Sequence, residues 1–199
     1  MYEVEIKVPA SHDAVRSALS DADAELIERV RQVDTYYDAP HRDFAETDEA
    51  LRLRRETREP GPDSGDSSEG DAETTILTYK GPLVDADSKT REEHETVVAD
   101  GDGAAAVFDG LGFEPAAVVE KEREFFALDG YTVTLDSVAD LGEFVEIEGH
   151  AEESADVAAV RDGAAGVLRR LGLEPADQIR TSYLGLLLDG ENSESPGGE

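Results

Sequence analysis

Several residue types are absent or scarce in this chain, and each absence excludes a class of protein. The 199 residues include no cysteine, no tryptophan and a single methionine. Without cysteine, disulfide scaffolds, cysteine-ligated zinc or iron–sulfur sites and thiol catalysis are excluded. No run approaches the roughly 18 apolar residues of a membrane-spanning helix, and the first residues do not read as a signal peptide. The sequence therefore predicts a cytoplasmic protein without a membrane-spanning helix.

Basic residues are also scarce. The chain has 18 Lys and Arg against 48 Asp and Glu, which gives a formal net charge of −30. An acidic excess of this size is typical of a solvated surface in a salt-rich cytoplasm, so we expect a halophilic source. The same charge repels phosphate, which argues against duplex nucleic acid as a partner. The few positions that keep a positive charge are therefore the informative ones.

The fold class follows from the spacing of apolar residues. Period-two alternation predicts eight strands, at 2–8, 32–37, 50–55, 74–80, 90–99, 118–128, 132–136 and 142–150. Helical spacing predicts a helix capped by Ser11, and two more at 102–111 and 154–171 that end at Gly112 and Gly172. We expect an α+β fold, with an eight-stranded antiparallel closed β-barrel and the helices packed outside.

The body is predicted to be a single domain over residues 1–188. Residues 59–73 are predicted to be a mobile acidic loop, and residues 189–199 a disordered tail, because both are rich in glycine, serine and acidic residues. Residues 102–115 also align with residues 162–175, with nine of fourteen positions identical. That repeat fits either an internal duplication or a shared way of ending a helix.

The polar faces of the predicted strands have an unusual composition. They carry seven cations, namely Lys7, Arg52, Arg54, Lys80, Arg91, Lys121 and Arg123. They also carry seven anions, namely Glu3, Glu5, Glu93, Glu95, Asp136, Glu146 and Glu148. The rest of the chain has 11 basic residues against 41 acidic ones. This concentration of scarce cations predicts that the charged faces point inward and line a polar tunnel, while the apolar faces pack against helices.

A tunnel of mixed charge indicates a ligand of mixed charge. Arginine side chains bind phosphate oxygens through forked hydrogen bonds, and clustered carboxylates bind Mg²⁺ or Mn²⁺ together with phosphate oxygens. A metal-bound triphosphate satisfies both groups. The alternative is a network of cross-strand ion pairs without a ligand, although buried ion pairs rarely repay their desolvation.

The order of these residues resembles a known family. Residues 3–7, Glu-Val-Glu-Ile-Lys, are similar to the ExExK signature of the CYTH superfamily, the triphosphate tunnel enzymes. Further matches follow in order at 32–38, 50–54, 78–82, 91–95, 121–123, 136, 141–148 and 182–187. The resemblance covers essentially the whole body, and it is closest to the class IV adenylyl cyclase branch.

The resemblance implies an eight-stranded tunnel, dependence on Mg²⁺ or Mn²⁺, and ATP or another triphosphate as substrate. It implies that the metal is held by Glu3, Glu5, Glu146 and Glu148, with Glu93, Glu95 and Asp136 as further candidates. It implies that the phosphates are held by Arg52, Arg54, Lys80, Arg91, Lys121 and Arg123. Lys7 would orient the reacting group or assist proton removal beside Glu5.

Three activities remain open at this point. The first is an adenylyl cyclase, which converts ATP to cyclic AMP and pyrophosphate, and the second is a triphosphatase. The cyclases of this branch are similar in a His-Phe pair before the first strand, whereas this chain begins Met1-Tyr2-Glu3. The third is a non-catalytic module that binds polyphosphate or nucleotide. The family resemblance makes a homodimer one option for the oligomeric state. The four histidines are expected at the surface or at strand edges.

Overall fold

The computed structural model describes residues 2–59, 73–82, 92–153 and 156–194, with the backbone alone for Tyr2, Glu3, Ala45 and residues 191–194. The strands are β1 (Tyr2–Pro9), β2 (Glu25–Asp38), β3 (Ala50–Arg58), β4 (Glu73–Lys80), β5 (Glu93–Val98), β6 (Glu114–Leu128), β7 (Tyr131–Val138) and β8 (Gly142–Ala151). The helices are α1 (His12–Asp21), α2 (Phe44–Thr47), α3 (Gly101–Gly110), α4 (Val157–Arg170) and α5 (Tyr183–Glu194). None of these helices is both long and apolar enough to cross a membrane.

The strands form one antiparallel sheet in the order β1-β8-β7-β6-β2-β3-β4-β5. The prediction of eight strands in an α+β fold is confirmed. The expected closure into a barrel is not: within the described ranges, β1 and β5 are the two ends of the order, and no ladder joins them. Alternation along a strand identifies its two faces but does not specify which strand pairs with which, so closure was beyond what the pattern could determine.

The chain divides into two compact units, of which unit 1 comprises residues 1–29 and 121–199. Its core lies on one face of β1, β7 and β8, where Ile6, Val133 and Ile147 are buried, and α1 and α4 pack on that face. Helix α1 contributes Val15 and Leu19 to the same core. The predicted packing of apolar strand faces against helices is therefore confirmed for unit 1.

Unit 2 comprises residues 30–120. Its strands β3, β4 and β5 pair in succession, and the Val30–Tyr37 part of β2 pairs with β3. Tyr37 meets Phe108 of α3 with ring centroids 5.1 Å apart, and Phe108 meets Phe113 at 5.8 Å. Leu53 is buried on β3, while Arg52 and Arg54 point to the opposite face. Unit 2 therefore separates apolar and charged faces as unit 1 does.

The two helices with similar sequences end in the same way but pack differently. Gly112 and Gly172 follow them with φ of +84° and +78°, the left-handed conformation that glycine adopts without strain. Leu171 of the α4 segment is 4% exposed, whereas the matching Leu111 is 63% exposed. Helix α3 precedes β6 and α4 follows β8, so they occupy different places in the element order. The two segments thus share a way of ending a helix, and the duplication stays a hypothesis.

Some boundaries differ from the prediction. Strand β2 begins at Glu25, because its first residues alternate in burial although they are rich in charge. Helix α5 reaches Glu194, so the disorder predicted from residue 189 does not hold for the helical part. Most of the predicted acidic loop, residues 60–72, lies outside the described residues. Ser11 is the N-cap of α1 as expected, but its side chain makes no capping hydrogen bond among the described residues; the Glu143 carboxylate accepts from the His12 amide.

Candidate functional site

A cluster of charged side chains occupies the face of the unit 1 strands opposite the core. We call it the unit 1 cluster, and it consists of Lys7, Lys121, Arg123, Asp136, Glu146 and Tyr183. Period-two alternation places these residues there, since Ile6 and Val8 on either side of Lys7 point into the core. Lys7 is only 6% exposed and Asp136 is fully buried. Such burial is rare for charged residues unless they are paired.

Arg123 and Asp136 form the centre of the unit 1 cluster. They lie directly opposite each other on β6 and β7. The guanidinium donates from Nε and Nη2 to the two Asp136 oxygens at 2.6 and 2.7 Å, and it also donates to Glu146. Burial disfavours both charges, but their attraction outweighs it: the pKa of Arg123 is held well above, and that of Asp136 below, the usual value. Both groups are therefore charged at neutral pH.

Two lysines and a tyrosine complete the unit 1 cluster. The Lys7 ammonium lies 3.8 Å from Glu146, its direct neighbour across β1 and β8. The Tyr183 hydroxyl donates to Asp136 Oδ2 at 2.7 Å, and burial raises the pKa of that hydroxyl, with further upward contributions from Asp136 and Glu146. The Tyr183 ring lies 4.2 Å from Lys7 Nζ and 5.6 Å from Lys121 Nζ. The sequence placed the lysines on this face but did not assign the tyrosine a partner.

Glu146 is the group in this cluster that can exchange a proton near neutral pH. Burial raises its pKa to about 7, and the nearby charges of Asp136 and Glu5 add to the shift, although Arg123 and Lys7 oppose it. A carboxyl with such a pKa can hold a proton or accept one under physiological conditions. The Lys7 ammonium lies 3.8 Å from this carboxyl, next to the group that exchanges the proton.

The carboxylates predicted to bind metal are only partly brought together. Glu5 and Glu148 are direct cross-strand neighbours on β1 and β8, and Glu5 is close enough to raise the pKa of Glu146. Glu3 lies two residues before Glu5 in the same strand, opposite His150, and only its backbone is described. Among the described side chains, no group of three or more acidic or histidine residues is already assembled as a metal site. The hard oxygen donors nevertheless fit Mg²⁺ or Mn²⁺, since a divalent cation would relieve their mutual repulsion.

The second group of charged residues lies on unit 2. We call it the unit 2 cluster, and it consists of Asp34, Arg52, Arg54, Thr78 and Glu95. Arg54 donates from Nε and Nη2 to the two oxygens of Asp34 at 2.6 and 2.8 Å, and these residues are direct neighbours on β2 and β3. Asp34 is fully buried. Its carboxylate therefore fixes the guanidinium of Arg54 in one orientation.

Arg52 approaches the same carboxylate but keeps a donor unused. Its Nη1 lies 3.7 Å from Asp34 Oδ2, and its Nη2 donates to the Thr78 hydroxyl at 3.0 Å. Its Nε is buried without a hydrogen-bond partner among the described residues. A buried donor without an acceptor is unfavourable, so this atom suits an anionic oxygen supplied by a ligand.

The remaining predicted residues have separate outcomes. Lys80 is half-buried and pairs with Glu93 at 3.1 Å. Glu95 accepts from Thr78 at 3.1 Å and lies 3.8 Å from Arg52. These two carboxylates of β5 thus pair with cations or hydroxyls of unit 2. Arg91 lies outside the described residues.

Three residues of these clusters, Asp34, Thr78 and Tyr183, were not predicted as site residues, and one histidine was misplaced. Asp34 shares the even-numbered face of β2 with Gln32, and this alternation was the signal that could have identified it. Tyr183 lies in the matched segment 182–187, but alternation could not assign it to a strand face because it comes from a helix. His12 was expected at the surface but is 1% exposed, with its Nε2 3.0 Å from the Phe144 carbonyl oxygen. The other three histidines are exposed, as predicted.

Comparison with known proteins identifies similar chains over nearly the whole length. The CYTH domain family model matches residues 1–183. A Methanocaldococcus jannaschii protein with the name "Putative adenylate cyclase" is 34% identical over 187 residues, which cover 94% of this chain and 98% of that protein. The adenylate cyclase CyaB of Aeromonas hydrophila is 27% identical over 184 residues, which cover 92% of this chain and 86% of that protein.

A solved structure has a similar backbone. The PH1819 protein of Pyrococcus horikoshii superimposes with a TM-score of 0.79 at 37% identity, and the match covers 95% of this chain and 99% of that one. The likeness therefore extends over both units rather than over a shared segment.

Proposed function

Because the chain belongs to the CYTH domain family, we propose that it is a metal-dependent enzyme acting on a triphosphate, and that its reaction is that of a class IV adenylyl cyclase. The substrate would be ATP and the products cyclic AMP and pyrophosphate. The names of the two relatives support the cyclase assignment. The residues of the two clusters support a phosphate ligand independently of those names.

The buried, oriented cations carry this proposal. Arg54 and Arg123 are each held by two hydrogen bonds to a fully buried aspartate. Lys7 and Lys121 are buried in a chain whose net charge is −30. Positioned cations of this kind stabilise charge that develops on phosphate oxygens without reorganising during the reaction. The cations of each cluster are proposed to bind phosphate oxygens.

Cyclisation requires a nucleophile, a leaving group and a place for one proton. The 3′-oxygen of ATP forms a bond to the α-phosphorus, the bond from that phosphorus to the bridging oxygen breaks, and pyrophosphate leaves with those electrons. The proton of the 3′-hydroxyl must be accepted by a base. Glu146, with a pKa of about 7, is suited to accept it. Lys7, 3.8 Å from Glu146, is suited to bind the oxygen that gains negative charge.

A divalent cation is proposed at the acidic residues of β1 and β8. Glu5 and Glu148, direct neighbours across β1 and β8, would hold it, with Glu3 on the same strand as Glu5. When bound, the cation would neutralise phosphate charge and increase the acidity of the attacking hydroxyl. Glu93, Glu95, Asp136 and Glu146 are less suited to this role, because each is already paired with a cation or hydroxyl.

A triphosphatase is the second candidate. The arginines and lysines of the two clusters suit phosphate oxygens whatever group the triphosphate carries. In that reaction water attacks the terminal phosphorus, and orthophosphate is released. The same cations would stabilise both reactions, since phosphoryl transfer depends mainly on positioning and charge neutralisation.

The deciding experiment is product analysis. The purified full chain is incubated with ATP and Mn²⁺ in molar KCl, and the products are separated by ion-exchange chromatography, with EDTA as the metal-free control. Cyclic AMP with pyrophosphate supports the cyclase. ADP with orthophosphate would overturn the cyclase in favour of the triphosphatase. No turnover of ATP or tripolyphosphate would reject both enzymes.

One substitution separates an enzyme from a binding module. Glu5→Gln removes a proposed metal ligand but leaves the cations in place, so turnover should fall by about 100-fold or more. Glu122→Gln, which changes an exposed glutamate of β6, is the matched control and should retain full activity. Retention of wild-type turnover by Glu5→Gln would contradict the proposed metal site.

A further inference from the structure

Tyr183 is an aromatic residue in a cluster that otherwise consists of charged side chains. It lies at the start of α5 and is 7% exposed. The segment before this helix is attached to the sheet, because the Ile179 amide donates to the Lys7 carbonyl oxygen at 2.9 Å. The end of the chain therefore contributes a side chain to the polar face of unit 1.

The ring of Tyr183 contacts two ammonium groups from different strands. Lys7 Nζ on β1 is 4.2 Å from the ring centroid, and Lys121 Nζ on β6 is 5.6 Å from it. Both distances lie within the roughly 6 Å over which an aromatic face attracts a cation. Strands β1 and β6 are separated by β8 and β7 in the sheet, so the two lysines are not strand neighbours. Both ammonium groups therefore lie close to the same aromatic ring.

The orientation of the ring is fixed by two further contacts. Its hydroxyl donates to Asp136 Oδ2 at 2.7 Å, and the same oxygen accepts from Arg123. Its ring packs against Phe144 on β8, with centroids 5.1 Å apart and planes inclined by 57°. The tyrosine is therefore held at both ends: the hydroxyl by the central aspartate, and the ring by a neighbouring aromatic side chain.

We infer that Tyr183 is a positioning residue that sets where Lys7 and Lys121 present their ammonium groups to an anionic substrate. The substrate part of this inference rests on the proposed function. The alternative is that Tyr183 only fills space, in which case leucine would replace it without effect on the lysines. The two readings differ in what they predict for the lysine side chains themselves.

The first test observes those lysines in the unliganded protein. The full chain has four lysines, so protein labelled with ¹³C at lysine Cε gives four assignable signals. The ring current of Tyr183 should shift the Hε signals of Lys7 and Lys121 upfield relative to Lys80, and Tyr183→Phe should retain the shift. Tyr183→Leu should abolish it. Absence of the shift in the wild type, or its persistence in Tyr183→Leu, would overturn the inference whatever the protein's function.

The second test measures binding of inorganic tripolyphosphate by calorimetry. Tyr183→Leu should weaken binding about tenfold, whereas Tyr183→Phe should change it by about threefold or less. Leu188→Ala, a partly exposed residue of the same helix, is the matched control and should bind as the wild type does. A wild-type affinity in Tyr183→Leu would overturn the role in substrate binding.

A double-mutant cycle separates positioning from general support of the fold. If Tyr183 acts through the two lysines, the effect of Tyr183→Leu on tripolyphosphate affinity should largely vanish in a Lys7→Met/Lys121→Met background. Additive losses would instead show a purely structural role and overturn the inference. If the wild type binds no tripolyphosphate, the proposed function fails, and the lysine signals alone decide whether Tyr183 places the two ammonium groups.

Discussion

The two charged clusters are built around the same anchor with the residue order reversed. In unit 1 the arginine is on the earlier strand and the aspartate on the later one, as Arg123 on β6 and Asp136 on β7. In unit 2 the aspartate comes first, as Asp34 on β2 and Arg54 on β3. In both, the aspartate is fully buried and binds the guanidinium through both oxygens. A directly opposed, antiparallel pair thus gives either order the same bidentate geometry.

The clusters differ in which other charged groups surround this aspartate–arginine pair. In unit 1 one guanidinium serves two carboxylates, those of Asp136 and Glu146. In unit 2 Asp34 lies beside two guanidiniums, because Arg52 is 3.7 Å from it next to Arg54, and Glu95 lies 3.8 Å from Arg52. Each cluster therefore pairs cations with carboxylates, but unit 1 adds two lysines beside its arginine, whereas unit 2 adds the Nε of Arg52, which has no hydrogen-bond partner in the part of the chain that the structure describes. The difference indicates a division of labour that substitutions can test.

Loss of the unit 1 arginine should have the largest effect. Arg123→Met leaves two buried carboxylates without a guanidinium, so we expect a loss of about 3–5 kcal/mol of unfolding free energy. Arg54→Met should cost less, because Asp34 keeps Arg52 nearby. Urea unfolding in molar KCl measures both.

A surface pair provides the control for this comparison. Arg16 is 44% exposed and binds Glu124 within unit 1, so Arg16→Met should cost about 1 kcal/mol or less. Equal losses for Arg54→Met and Arg123→Met would show that the extra carboxylate of unit 1 does not distinguish the clusters.

The unused donor of unit 2 should matter for binding more than for folding. Arg52→Lys keeps the charge but removes the buried Nε, and a hydrogen bond to a charged group contributes about 1.5–3 kcal/mol, so tripolyphosphate affinity should fall about tenfold or more. Calorimetry gives the affinity, and thermal unfolding checks that the fold is retained. Unchanged affinity would show that this nitrogen does not bind the ligand.

The extra carboxylate of unit 1 should make stability depend on pH. The pKa of Glu146 is raised from 4.5 to about 7 in the folded protein, so its contribution is fully present below pH 4.5 and is lost as the pH rises through about 7. Glu146→Gln removes this titration. The melting temperature of the variant minus that of the wild type should therefore be more positive at pH 8 than at pH 5, in EDTA. A constant difference would contradict the raised pKa.

The smallest effect is expected at the two helix ends, which have one glycine in each unit. Alanine at Gly112 or Gly172 must adopt a positive φ, which costs about 1–2 kcal/mol. A Cβ at Gly172 would meet nothing within 4 Å, and one at Gly112 would meet Pro40 at an ordinary 3.5 Å. Both variants should therefore lose similar stability in urea unfolding. A clear inequality would mean that packing, and not backbone conformation, governs one of the two endings.

Much of the fold was readable from local pattern. Alternation of Glu5, Ile6 and Lys7 predicted both the strand and the separation of charged from apolar faces, and the structure has this arrangement. Gly112 and Gly172 predicted the helix ends, because only glycine adopts a positive φ there without strain. These features depend on residues within a few positions of each other.

Features that depend on distant partners were not readable. Helix α5 was missed for a local reason: its run of leucines is short, and the helix contains Gly185 and Gly190. His12 was misplaced because its burial depends on Phe144 and Glu143, which are far away in sequence. The halophilic source, the metal and the dimer stay predictions.

The sequence by itself determined which residues share a strand face, because side chains alternate with a fixed period of two. It also determined that scarce cations and several carboxylates would lie on the same faces. Only the tertiary structure decided the partners: that Asp34 anchors Arg54, that Asp136 anchors Arg123, and that Tyr183 joins Lys7 to Lys121. The physical reason is register. Which residue lies opposite which depends on how strands and helices far apart in the chain are aligned, and no local period records that alignment.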